Sequence, residues 1–434
     1  MMTCLKMSSA ILFVLSIIFI PFSAYGATYY VDNSGSPACD DSYAGKEAQP
    51  WCTVSTSINK LSAGDILYIK NGTYEGRFTI TSLTGTSVSP ITIRAYPGHT
   101  PVLAGVAYTG GRTKFVDCNY LTIDGLTFTL MQQALFLDGG TNITVKNNTM
   151  HNIGNQAFSA HRGDSAAGAS FITVDNNKIY DAGMGTENGE GMYIGTGSGG
   201  PVDDTNHITI TNNTIYNTKD EGIELKPGTH DCLVENNILY NTGNYSAIEV
   251  DEEINGVQSY GANPNHIIRN NIIHDLTDLA PYAEAGIRAG TGVTVYNNIL
   301  YNISASRSGI LVDTAVGLGN YTRRIYHNTI DMGSTSAVTY RGTSTYDVKN
   351  NIGPPTTYNI TSNNAYYVDH AARNYHLAVG TAPVDAGTTA GNILTYAPTD
   401  KSGIARPYGT APDIGAYEYV SSKKPNPPQI ISVE

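Results

Sequence analysis

Three features of the sequence predict an all-β chain, a right-handed parallel β-helix: a single-stranded solenoid with an N-terminal cap helix. A strand-forming phrase around two asparagines recurs eight times, and a second phrase of alternating apolar and polar residues lies between its copies. Charge is sparse, at 14% of 434 residues, while glycine (45) and tyrosine (30) are abundant. Such length usually signals two or three globular domains. A repeat array evades that rule, because each unit packs only on its neighbours.

The first phrase reads ITVKNNTMHN (143–152), ITVDNNKIYD (172–181), ITITNNTIYN (208–217) and CLVENNILYN (232–241). It continues as IIRNNIIHD (267–275), VTVYNNILYN (293–302), IYHNTID (325–331) and DVKNNI (347–352). Its second asparagine falls at 148, 177, 213, 237, 271, 298, 328 and 351, at intervals of 23 to 36 residues. That spacing is too irregular for a helical repeat and suits coils with loops of variable length. Val, Ile, Thr and Tyr alternating with polar residues is strand chemistry. An asparagine at one turn of every coil predicts a stacked amide ladder, a structural role.

The second phrase begins QALFLDGG (133–140), QAFSAHRG (156–163), EGMYIGTG (190–197) and EGIELKPG (221–228). SAIEVDEE (246–253), AGIRAGTG (285–292), SGILVDTA (308–315) and SAVTYRGT (336–343) follow. Its period of two marks a strand with one buried face, and equivalent positions should stack ~4.8 Å apart. Each coil therefore contributes at least two strands.

The ends differ from the middle. Lys6, the apolar run 10–22 and the small residues Ala24 and Gly26 read as a signal peptide over 1–26. The run is short for a membrane span and no later segment rivals it. Export accounts for the cysteines too: Cys39 and Cys52 flank a short polar loop and suit a disulfide, whereas Cys118 and Cys232 suit buried thiols. Residues 27–110 form the N-terminal cap and first coils, with a short helix expected over 55–61 to cover exposed strand edges. Residues 111–352 carry the repeats, 353–420 a closing segment ending in DIGAYEY, and 421–434 a flexible tail. A monomer is expected.

The net charge of −12 argues against nucleic acid, which needs a Lys/Arg surface. Acidic glycans are repelled at long range as well, unless a bound cation or a local basic patch reverses the field.

Stacking the second phrase gives columns that expose the chemistry. One outward column runs Phe136, Ser159, Tyr193, Glu224, Glu249, Arg288, Leu311, Thr339; the next runs Asp138, His161, Gly195, Lys226, Asp251, Gly290, Asp313, Arg341. Just before the strand stand Gln133, Gln156, Glu190, Glu221, Ser246 and Ala285. Glu190, Asp220, Glu221, Glu224, Glu249, Asp251, Lys226 and Arg288 thus share one face. Two like charges ~5 Å apart repel by roughly 1 kcal/mol in water and more near protein. A raised pKa, an interleaved cation side chain or a divalent metal relieves that repulsion, and oxygen-only ligands favour calcium. Three arrangements therefore stand side by side: an ion-pair ladder using Lys226 and Arg288, a metal-linked or catalytic patch, and an apo sugar-binding face. The insertions 195–206 and 252–265 belong to the same coils and could wall a cleft. His161, beside Arg162, is expected to be solvated unless it binds substrate, and Tyr193 is placed to stack on a sugar ring.

These residues resemble secreted β-helix enzymes. The opening YYVDNSGS…QPWCTVSTSINKLSAGDILYIKNGTY, with NGEGMYIG (188–195) and KDEGIELK (219–226), is similar to the pectate lyase 9-like family. That resemblance implies calcium ligands at Glu190, Asp220, Glu221 and Glu224. The chain departs from the family by carrying Glu where those lyases usually have Asp, and by offering Glu249 or Arg288 where they place the base. The run GEGMYIGTG…EGIELKPGTHDCLVENNILYN also resembles the alginate lyase and chondroitinase B family, which implies Lys226 as base and Glu221 as a calcium ligand. The arginine that family uses one coil later is replaced by Asp251.

The function these resemblances imply is calcium-dependent β-elimination of an acidic, uronate-containing polysaccharide, with Lys226 or Arg288 catalytic. Tyr193, His161, Glu249 and Asp251 would contact substrate, and Glu190, Asp220, Glu221 and Glu224 would surround the ion. The alternative is a non-catalytic extracellular protein that binds glycan along its flank.

Overall fold

The computed structural model describes residues 26–421, apart from 109, 186–187, 198–202, 252–263, 278–281, 314–320, 333–335, 343–344 and 355. The expected signal peptide up to residue 25, much of both insertions and the tail after 421 lie outside the described residues.

Alternating Val, Ile and Thr build three long parallel sheets of 12, 10 and 12 strands, with successive coils adding one strand to each. The strands per coil, at least two by the sequence, number three. The asparagine phrase is itself two strands, as in Thr141–Lys146 and Thr149–Ile153, bent apart at the NN turn. No helix among the described residues is long and apolar enough to cross a membrane.

The NN turn works through both asparagines. The first adopts a left-handed φ of 52–60° at Asn147, Asn176, Asn212, Asn236, Asn270, Asn297 and Asn350. Asn tolerates that region better than most residues, because its short side chain bonds locally. The second forms the ladder. Asn177 Nδ2 donates to Asn213 Oδ1 at 3.0 Å and Asn213 Nδ2 to Asn237 Oδ1 at 3.0 Å. The series runs unbroken from Asn148 to Asn351 and gains one further rung at Asn359. Each Oδ1 also accepts a backbone N–H from the coil before, as Asn237 does from Asn213 at 2.9 Å. Fully paired amides can be buried without the desolvation penalty of an orphan.

Ile143, Ile172 and Ile208 stack in register, and the same positions through the coils fill the solenoid. Burying each such side chain contributes roughly 1.5–3 kcal/mol. Outside the third sheet, His151, Tyr180, Tyr216, Tyr240, His274 and Tyr301 stack as rings 4.7–5.0 Å apart.

At the N-terminal end the helix spans Val54–Ile58, slightly earlier than the sequence indicates, and buries Val54, Ser57 and Ile58 against the first strands. Cys39 and Cys52 are bonded, and Cys118 and Cys232 are buried thiols. The C-terminal segment is not simply an end plug. It packs along the flank, where His327 Nδ1 donates to the Asp413 carbonyl (2.9 Å) and Asn297 Nδ2 to that of Thr399 (2.8 Å).

Candidate functional site

The second sheet carries the charged column. Its central strands are Arg112–Val116, Gln133–Asp138, Phe158–His161, Met192–Ile194, Ile223–Leu225, Tyr245–Val250 and Ala283–Ala289. In register, Lys114, Phe136, Ser159, Tyr193, Glu224, Glu249, Arg288, Leu311 and Thr339 follow one another. The sequence-derived column is reproduced residue by residue. Lys114, one coil earlier, was missed because RTKFVD lacks the small residue that opens the other phrases.

Two glycines bring the carboxylates together. A Cβ on Gly191 would lie 2.5 Å from the Gly222 carbonyl oxygen, and one on Gly222 would lie 2.7 Å from that of Ala247. Their absent side chains let the backbones close up, so that Glu190 and Glu221, each preceding a glycine, stand one above the other.

Two carboxylate groups result. Glu190, Glu221 and Glu224 each bring one oxygen within 4.8 Å of the others, and so do Glu224, Glu249 and Asp251. All are buried, which was not expected of an outward face. Loss of hydration is the main force on them. Burial raises the Glu190 pKa to about 7 and Glu224 to about 8, with neighbouring carboxylates adding to both. Glu221 is pushed well up by burial and by Glu224, Glu249 and Glu190. Glu249 rises to about 8, chiefly by burial, against the pull of Arg288.

The two groups differ in their counter-charges. Lys226 bonds Glu224 and lies 3.2 Å from Asp251, 5.2 Å from the Tyr193 ring centroid. Arg288 lies 2.5 Å from Glu249, 2.6 Å from Asp313, 3.7 Å from Asp251 and 3.8 Å from Glu284. That half is the ion-pair ladder. Among the described residues, no cation lies within ion-pair distance of Glu190 or Glu221. Oε2 of Glu190, of Glu224 and of Glu249 is buried without a hydrogen-bond partner. The ladder and the uncompensated cluster therefore coexist, joined at Glu224.

The remaining candidates are placed as follows. Asp220 is buried beside Glu190, whose pKa it raises, but accepts from Asn244 Nδ2 at 2.8 Å and belongs to neither close group. Tyr193 borders Lys226. His161 is partly buried rather than freely solvated: its ring lies 4.3 Å from Phe136 and 5.7 Å from Tyr193, and burial lowers its pKa.

Residues 29–275 match the family described as Pel9A-like, right handed beta helix region, and 202–374 match a right handed beta helix region. Among curated proteins none matches the sequence. Pectate lyase Pel9A shares the fold at a TM-score of 0.62 and 17% identity, over 90% of this chain and 96% of its own. An alginate lyase from Paenibacillus sp. str. FPU-7 does so at 0.54 and 18%, over 77% of this chain and 99% of its own. A chain named glycoside hydrolase does so at 0.58 and 10%, over 77% and 99%. The frame thus serves both lyases and hydrolases, and the site must carry the choice of chemistry.

Proposed function

Because the chain belongs to the Pel9A-like right-handed β-helix family, we propose that it is an exported, calcium-dependent lyase that cleaves an acidic, uronate-containing polysaccharide by β-elimination. One observation carries the reading: Glu190, Glu221 and Glu224 converge, buried, with an unpartnered oxygen on Glu190 and on Glu224 and too little positive charge. Hard oxygen donors in a loose cluster fit calcium, and Asp220 stands beside them in support. Calcium held there would neutralise a sugar carboxylate and acidify the proton on the adjoining carbon.

The chain's own groups take the remaining roles. Lys226 is the base. Its ammonium form is stabilised by Glu224 and Asp251; a cation held by Glu224 would weaken that stabilisation, and the neutral amine would take the C5 proton as the bond to the departing glycosidic oxygen breaks and that oxygen is protonated. Arg288 keeps its proton and positions Glu249 and Asp251. Tyr193 flanks the amine and limits water access to it.

The test is incubation of the mature protein with polygalacturonate, alginate and chondroitin, with and without calcium, following the ultraviolet absorbance of unsaturated products. Calcium-dependent absorbance on one of them is expected. No absorbance on any uronide, or full activity in Lys226→Ala, overturns the proposal. Glycan affinity without turnover and without response to chelator would establish the binding-protein alternative.

A further inference from the structure

A cleft of about 500 Å³ opens on the second sheet on the N-terminal side of the carboxylates, lined in part by Arg77, Arg112, Lys114, Phe136, His161 and Asp164. The chemistry proposed above makes no use of it. Its charge also opposes that of the chain: three permanent cations face one carboxylate, in a protein of net charge −12.

The three cations are not equivalent. Arg77 is bound to Glu75 at 2.8 Å, and Lys114 to Asp138 at 2.7 Å and Asp164 at 2.5 Å. Among the described residues, no carboxylate lies within ion-pair distance of Arg112. Its guanidinium is half-buried, and desolvation disfavours its charge. Phe136 lies beneath: the Arg112 guanidinium carbon is 5.5 Å and Lys114 Nζ 5.1 Å from its ring centroid. An aromatic ring thus lies against two cations, one of which has no carboxylate within ion-pair distance and feels Asp164 and Asp138 only from further off. A planar fork of donors in that state is a receptor for a carboxylate or a sulfate ester.

Position links the cleft to the carboxylates. Lys114 and Glu224 belong to one column, with Phe136, Ser159 and Tyr193 between them. Four strand spacings of ~4.8 Å place them about 19 Å apart on one face, within reach of a single oligosaccharide.

We infer that the cleft is a distal subsite for an anionic sugar unit, so that the protein engages a polymer at Arg112 while another unit lies at Glu224 and Lys226. Only the assignment of the reacting unit rests on the proposed function; the anion site stands on its own residues. It also supplies the local basic patch without which the chain's negative field repels an acidic glycan.

The experiment is affinity electrophoresis in gels containing polygalacturonate, dextran sulfate or neutral dextran, run in EDTA so that no divalent ion contributes. The wild-type protein should be retarded by an anionic polymer and not by dextran. Arg112→Gln should weaken that affinity about tenfold or more, the value of one charged hydrogen-bonding group, and R112K should lie between. Retardation by polygalacturonate identifies a uronate carboxylate, and by dextran sulfate a sulfate ester; either supports the subsite. Wild-type mobility unaffected by both polymers, or R112Q binding as tightly as wild type, overturns it. If R112Q does not fold, wild-type affinity in R112K is the overturning result. Failure to form unsaturated product would instead remove the lyase proposal and leave the subsite standing.

Discussion

Changing Glu221 to Gln tests the carboxylate cluster through stability alone. Burial raises the Glu190 pKa from 4.5 to about 7 and Glu221 in the same direction. A folded pKa above the unfolded value stabilises the fold relative to higher pH: the penalty is absent below about pH 4.5, grows through pH 7 and is complete above it. For Glu190 the shift corresponds to about 3 kcal/mol at pH 8. With an unfolding entropy of roughly 2.1 cal/mol/K per residue over ~400 residues, that equals about 3–4 °C in Tm. Glu221→Gln removes one repelling charge and supplies amide donors to Glu190 and Glu224. Because burial and its neighbours Glu224, Glu249 and Glu190 penalise the Glu221 charge itself, the variant, free of divalent ions, should melt above wild type at pH 8 and alongside it at pH 4.5. Calcium at a hundredfold excess over Kd should add about 2.7 kcal/mol, again ~3 °C, to the wild type and almost nothing to the variant. Differential scanning calorimetry at the two pH values reads all four quantities. If E221Q melts below wild type at pH 8 without calcium, the cluster is not strained; if calcium raises both proteins equally, it is not a cation site.

Further outcomes follow from the same geometry. Lys226→Ala should lower kcat on the active polysaccharide by about 10²-fold or more while leaving the calcium-induced rise in Tm in place, as kinetics and calorimetry on one preparation would show. Gly222→Ala puts a Cβ 2.5 Å from Leu239 Cδ2 and 2.7 Å from the Ala247 carbonyl oxygen; a loss of about 1–3 kcal/mol should accompany a weakened calcium response, measured by denaturant unfolding. Asn237→Ala leaves the Asn213 side-chain amide and backbone N–H without their acceptor, so chemical denaturation should show a loss of roughly 2–4 kcal/mol. Below about pH 7 protonation of Glu190 competes with calcium, so the apparent Kd from titration calorimetry should rise as pH falls from 8 to 6.

Much of this architecture was legible in the sequence because the solenoid turns register into arithmetic. Once the small residue opening each second phrase is aligned, Glu224 falls on Glu249 and Glu249 on Arg288, as the strand pairing has it. The amide ladder was legible for the same reason. The role of the first asparagine was not, since a left-handed φ leaves no mark on residue type beyond Asn itself, and His327 fills the same conformation. Burial was misjudged as well. A period of two marks Phe136, Glu224 and Arg288 as outward, but cannot say what covers an outward side chain. Their burial turns a row of surface charges into groups with displaced pKa values. Lys114 and Arg112 escaped because the coil around 112–116 departs from the phrase that made the others visible.

Glu224 is where the two halves of the site meet, and this has a mechanistic consequence. It accepts from Lys226 and also lies within ligand distance of Glu190 and Glu221. A carboxylate shared in this way cannot serve both partners equally. When it serves the lysine, the amine is held as an ammonium and cannot take a proton; when it serves a cation, the amine loses its strongest stabilising neighbour. Arg288 makes the exchange local. Fixed between Glu249 and Asp313, it holds the next coil's charge balance steady while Glu224 changes allegiance. In the proposed mechanism the lysine's readiness to act as base would thereby be tied to occupation of the cluster. Replacing Glu224 with Gln should accordingly remove the calcium dependence of the Lys226 pKa, read from the pH profile of kcat, and not merely weaken calcium binding. A profile that still shifts with calcium in E224Q would place the link elsewhere.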